Sequence, residues 1–148
     1  MKPALIVMSL LLLAASAGAQ HTPGYVEYGN IRFRDERAML DHYASQLQLD
    51  PDTVVYIFAF SGRVACAGKA KARAARAKSY LVKKHGIAPE RVSWIDGGFR
   101  SDLSVELWLR PRARTPPEPT PTVDPADAKV KDCRPKGRGR RGRRAGHA

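Results

Sequence analysis

Between Gly68 and His85 the chain carries Lys69, Lys71, Arg73, Arg76, Lys78, Lys83 and Lys84 without a single acid. Cations grouped in this way form either a solvated face or a set of anion donors, and arginine is the better carboxylate ligand because its planar fork donates two parallel hydrogen bonds. The stretch from Gly62 to Ala70 comes near a phosphate-binding glycine loop but fails its chemistry. That motif needs four residues between its glycines and a Ser or Thr after the lysine; here five stand between Gly62 and Gly68, and Ala70 follows Lys69. His21, His42, His85 and His147 are scattered with no metal-ligand spacing, and Ser61 lies in no nucleophile elbow. The expectation is a non-enzymatic protein with no cofactor and no metal.

The elements that must carry these groups are read from periodicity. Tyr25 to Phe33 reads as a strand interrupted at Gly29-Asn30, after which Asp35 can cap a helix with Leu40, Tyr43, Ala44 and Leu47 on one face. Thr53 to Phe60, β-branched and aromatic almost throughout, suits a central strand covered on both faces. The basic run forms a second helix whose buried stripe, Ala70, Ala74, Ala77 and Leu81, is mostly small, so it should lie close to a sheet and end at Gly86. Arg91 to Asp96 reads as a third strand, and the alternation from Leu103 to Arg110 as a fourth with one buried face. The order β-α-β-α-β-β argues for a two-layer α/β sandwich, with parallel pairing across the crossovers and a hairpin-like antiparallel connection between the last two strands.

The run Ala72-Arg73-Ala74-Ala75-Arg76-Ala77-Lys78-Ser79-Tyr80-Leu81, then Gly86-Ile87-Ala88-Pro89-Glu90-Arg91-Val92 and Asp96-Gly97-Gly98, resembles the second half of an OmpA-like domain. That module fastens cell envelopes to peptidoglycan. The resemblance spans about Tyr28 to Leu109 and implies the same sandwich. It also implies a ligand site in which an arginine early in the second helix, here Arg73, grips a stem-peptide carboxylate, with Arg76 and Lys69 as neighbours on the helix. The family's aspartate at the end of the second strand has no counterpart, since Ala59-Phe60-Ser61-Gly62 stands there, and Arg100-Ser101-Asp102-Leu103 replaces its usual Asn-Arg-Arg. Asp96 or Asp102, from neighbouring loops, is the candidate to hold the ligand's ammonium group.

Residues 1–19 read as a signal peptide: Lys2, an apolar run from Ala4 to Ala15, then small residues before Gln20. The mature chain is expected outside the cytoplasm, periplasmic or extracellular, with no transmembrane segment. Its domain spans residues 20–111, followed by a Pro-rich linker at 112–133 and an Arg/Gly-rich tail at 134–148. Of the net charge of +12, the tail side holds more: fourteen basic and ten acidic residues lie between Gln20 and Pro111, against eleven and four from Arg112 onward. Pro116 to Pro125 is expected to be an extended spacer unable to join a core. Arg138, Arg140, Arg141, Arg143 and Arg144 are expected to meet anionic polymers or lipid surfaces through mobile charge, without the aromatics that base stacking requires. In an exported chain the two cysteines, Cys66 and Cys133, are disulfide candidates, with two unpaired thiols the other possibility. Three readings remain: an envelope-associated module binding peptidoglycan through an eroded site, a secreted polyanion binder acting through its tail, and a protein–protein module using a sheet edge.

Overall fold

The computed structural model describes residues 24–133. Residues 1–19, expected to be a signal peptide, and the arginines from Arg138 to Arg144 lie outside them. The described chain runs β1 (Tyr25–Tyr28), α1 (Phe33–Leu49), β2 (Thr53–Gly62), β3 (Val64–Cys66), α2 (Lys69–His85), β4 (Val92–Arg100), β5 (Ser104–Pro111) and β6 (Lys129–Lys131), with short 3-10 turns at Pro89–Arg91 and Pro125–Asp127.

Four strands form one mixed sheet in the order β1-β5-β2-β4. Both helices cover one face of it. Leu40, Tyr43, Ala44 and Leu47 of α1 and Ala70, Ala74, Ala77 and Leu81 of α2 meet Val55, Ile57, Ala59, Val105 and Leu107, the alternate residues of the two central strands. The small side chains of α2 let it settle against β2 and β4, and Gly86 ends it in the left-handed conformation, φ 67°. α1 has no basic residue in its last turn. Arg91 supplies the missing donors, reaching the carbonyls of Leu47, Asp50 and Thr53 at 2.7 Å.

Several expectations need correction. The strand at the start ends at Tyr28, and Asp35 lies in the first turn of α1, whose cap position is held by Arg32 without a side-chain bond. β4 runs on past Asp96 through a register shift to Arg100. β4 and β5 do not pair with each other; β5 inserts antiparallel between β1 and β2, while β2 and β4 run parallel.

The largest correction concerns the second face of the sheet and the segment after Pro111. Phe58 and Phe60 point away from the helices yet are fully buried, and Ser104 and Glu106 on β5 are buried beside them. The proline-rich stretch is part of this cover. Val123 is buried, the N–H groups of Thr122 and Val123 both donate to the Phe99 carbonyl, and Val123 bridges Phe99 in antiparallel fashion. Arg100 fastens this strap to the sheet. Its guanidinium lies 3.6 Å from the centroid of the Phe60 ring, pairs with Glu27 at 2.7 Å and Glu106 at 2.5 Å, and donates to the hydroxyl and carbonyl oxygens of Thr120. Prolines lack a donor but do not prevent an extended segment from accepting and stacking, so a stretch that builds no core of its own can complete another. Beyond it, β6 pairs in parallel with β3, and Cys133 is bonded to Cys66.

Candidate functional site

The exposed surface of α2 divides into two further stripes beside its buried one. Arg73, Arg76 and Tyr80 face the α1 side. Lys71, Ala75, Lys78 and Val82 run toward β4, as the lining of the groove at Trp94 shows.

Arg73 is not an open carboxylate ligand. It is 8% exposed, and its guanidinium donates to the carbonyls of Gly29 and Ile31 and to Asn30 Oδ1 at 2.9–3.0 Å. It acts as a clamp on the loop between β1 and α1, whose Gly29 carbonyl also accepts from the Ile31 N–H. Arg76 is likewise engaged: it meets Glu36 at 2.6 Å and lies over the Phe33 ring, 4.4 Å from its centroid. Glu36 is fully buried and also accepts from Tyr28 Oη at 2.9 Å. Burial and the adjacent carboxylate push the Tyr28 phenol well above its ordinary pKa, so this hydroxyl stays a donor at any physiological pH.

The two aspartates separate. Asp96 stands at the register shift of β4, where its carboxylate accepts the Gly98 N–H at 2.9 Å. Asp102 instead comes together with Lys69. Both line a pocket of about 120 Å³ at the C-terminal end of β2, with Gly62, Cys66, Ser101 and Leu103. Neither charge is used in an ion pair among the described residues, and both are exposed at the rim. Gly62 makes the floor possible, because a Cβ there would come within 3.2 Å of the Leu103 nitrogen. One wall is β3, a three-residue strand whose only partner strand is β6. Two short strands alone are marginal, so the Cys66–Cys133 disulfide and the bonds from Lys129 N–H to the Arg63 carbonyl and from Ala67 N–H to the Lys131 carbonyl hold that wall in place.

Within the glycine-rich stretch the Arg63 and Ala67 N–H groups are committed to the Ser101 and Lys131 carbonyls, and Val64–Cys66 pairs with β6, so this part is a strand with a covalent anchor instead of an open loop.

A second polar group is superficial. Asp41 accepts from Tyr80 Oη at 2.8 Å and lies 2.7 Å from His85 Nε2, and the Tyr80 bond first, then His85, draws the Asp41 carboxyl below the ordinary carboxylate range. It links the middle of α1 to the last turns of α2. Among the described residues no group of three or more His, Cys, Asp or Glu side chains could hold a metal, and no helix is long and apolar enough to cross a membrane.

Sequence reasoning missed the buried Glu36, the Arg100 network and the strap. A faint signal existed for the last two: Glu106 sits among apolar neighbours in β5, and Val123 is an isolated aliphatic residue in a run of Pro and Thr. Searched against protein-family models, curated proteins and solved structures, the chain matches none of them.

Proposed function

We propose that this chain is an exported, non-enzymatic envelope module of the OmpA-like kind, which binds the peptide part of peptidoglycan at the mouth formed by Lys69 and Asp102. The order β-α-β-α-β-β, with β3 and β6 as additions, supports the family reading, as do the arginine-bearing helix and the Gly86-Ile87 pair that follows it.

The observation that carries the reading is the unpaired Lys69 and Asp102 on one small pocket. An ammonium and a carboxylate facing the same space match a zwitterion, the amino-acid end of a stem peptide, whose own carboxylate meets Lys69 and whose ammonium meets Asp102. Arg73, already saturated by the loop of residues 29–31, supports the site from behind by fixing the start of α2. A small, rigid pocket bearing one cation and one anion makes a weak, selective grip, in keeping with a module that needs many copies along a polymer.

The test is sedimentation of the full chain with purified peptidoglycan, at salt high enough to screen long-range attraction. Lys69→Ala and Asp102→Ala should each lower retention severalfold while the denaturant midpoint stays within error of the parent. Unchanged retention in both variants overturns the assignment.

A further inference from the structure

β4 is an edge strand. On one side Val92 to Asp96 pair with Val55 to Ala59; on the other, no strand lies beside them among the described residues. Edges left in this state are templates for another chain, and folded proteins blunt them with charge, proline, bulges or cover. Here the protection is local. The register shift at Asp96 interrupts the edge, and beyond it the strap covers Phe99 through Thr122 and Val123. The stretch from Val92 to Ile95 has neither device.

Beside this stretch lies a groove of about 270 Å³ between α2 and β4. Trp94, Pro89 and Val82 give it apolar walls, and Lys78 and Lys83 line it, with Lys71 Nζ 6.0 Å from the Trp94 ring centroid. None of these three lysines has an acidic partner.

We propose that this edge and groove take an extended acidic peptide, which adds to β4 along Val92–Ile95, places one apolar side chain against Trp94 and sets its carboxylates against Lys71, Lys78 and Lys83. Three independent observations point the same way. The main chain of the edge is open, and only another main chain carries N–H and C=O groups at the matching repeat. The chain already lays its own extended segment against the neighbouring part of this edge. The charge along the groove is positive, from Lys71, Lys78 and Lys83, with the acids Glu90 and Asp96 only at the two ends of the open stretch, so the groove complements an acidic strand and repels a basic one. A polysaccharide or polyphosphate satisfies the charge but not the edge. This site is separate from the Lys69–Asp102 pocket and does not depend on its function.

The experiment uses the full chain and a blocked synthetic peptide, Glu-Thr-Val-Thr-Glu-Thr-Glu, whose alternate residues set Glu and Val on one face. Amide hydrogen exchange at Ser93, Trp94 and Ile95 should slow on binding. Of two versions N-methylated at alternate residues in the two possible frames, one should lose affinity at least tenfold and the other should bind nearly as the parent peptide, because only every second N–H faces the edge. Lys78→Glu should weaken the parent peptide at least tenfold with the fold intact by circular dichroism. Equal binding of both N-methylated frames, unchanged exchange at residues 93–95, indifference to Lys78→Glu, or full competition by a heparin fragment of equal charge each overturns the proposal. The last outcome would mean that charge alone is read.

Discussion

At the scale of single residues, the charged groups of greatest consequence are turned inward. Glu36 and Arg76 make the point by their asymmetry. Glu36 is fully buried, whereas the Arg76 side chain is 42% exposed. Arg76→Ala strands a buried carboxylate with only the Tyr28 hydroxyl for company, and should cost about 3–5 kcal/mol in chemical denaturation. Glu36→Gln keeps an acceptor for Tyr28 and leaves an arginine that water can reach, so a smaller loss of about 1–2 kcal/mol is expected. The reverse ranking would show that the pair is not buried as described. Arg73→Ala should destabilise by about 1–3 kcal/mol, since Asn30 Oδ1 and the Ile31 carbonyl lose this donor while the Gly29 carbonyl keeps the Ile31 N–H, and Arg73→Lys should not restore the loss, since an ammonium lacks the fork that spans them. Asp41 gives a pH signature. Its folded pKa lies below its unfolded value, so the stability it contributes is present above about pH 4 and disappears as pH falls through the folded pKa. Asp41→Asn should therefore be slightly less stable than the parent at neutral pH, and the difference should vanish as pH falls through the folded pKa, by thermal melts across the acid range.

At the scale of elements, what was legible in the sequence was whatever depends on local period. The α2 stripe, its stop at Gly86, the α1 face and the β2 core all follow from spacing within one element, because a single helix or strand must bury one face whatever its partner. Strand order was not legible. Nothing in Leu103 to Arg110 reveals that β5 lies between β1 and β2 instead of beside β4, since alternation looks alike in any antiparallel neighbourhood. Of the site, Lys69 and Asp102 were both within reach of the sequence, but their meeting was not, because it depends on how β2 and the β4–β5 loop end together. The outward face of β4 supplies a direct test. Gly97 lies against the Phe60 ring, and a Cβ there would fall 2.5 Å from it. Gly97→Ala should displace a fully buried ring stacked under Arg100 and cost about 2–3 kcal/mol. Paired with Phe60→Leu, the loss should shrink, which a double-mutant cycle would register.

At the scale of the whole molecule, the domain extends past Pro111. A chain ending there lacks Thr120, Val123, β6 and Cys133, and should expose Phe58 and Phe60 to a hydrophobic dye, whereas one ending at Cys133 should keep the parent midpoint. Identical midpoints for the two would refute the strap. The disulfide joins residues 67 apart in sequence. In the loop-entropy account a crosslink of that span contributes about 4 kcal/mol, so reduction by a dithiol should lower the denaturant midpoint by a corresponding amount. It also fixes the place from which the rest of the chain departs. Cys133 is moored beside Lys69, and the residues from Arg134 to Ala148 can reach no farther than about 50 Å from that mooring whatever path they take. Any anion held by Arg138 to Arg144 is thereby confined near the pocket at an effective concentration in the millimolar range. Under the proposed function, with the tail arginines as a second site, the two would act as one on a polymer that offers both kinds of group, and cutting one sulfur–sulfur bond would lengthen the leash and uncouple them.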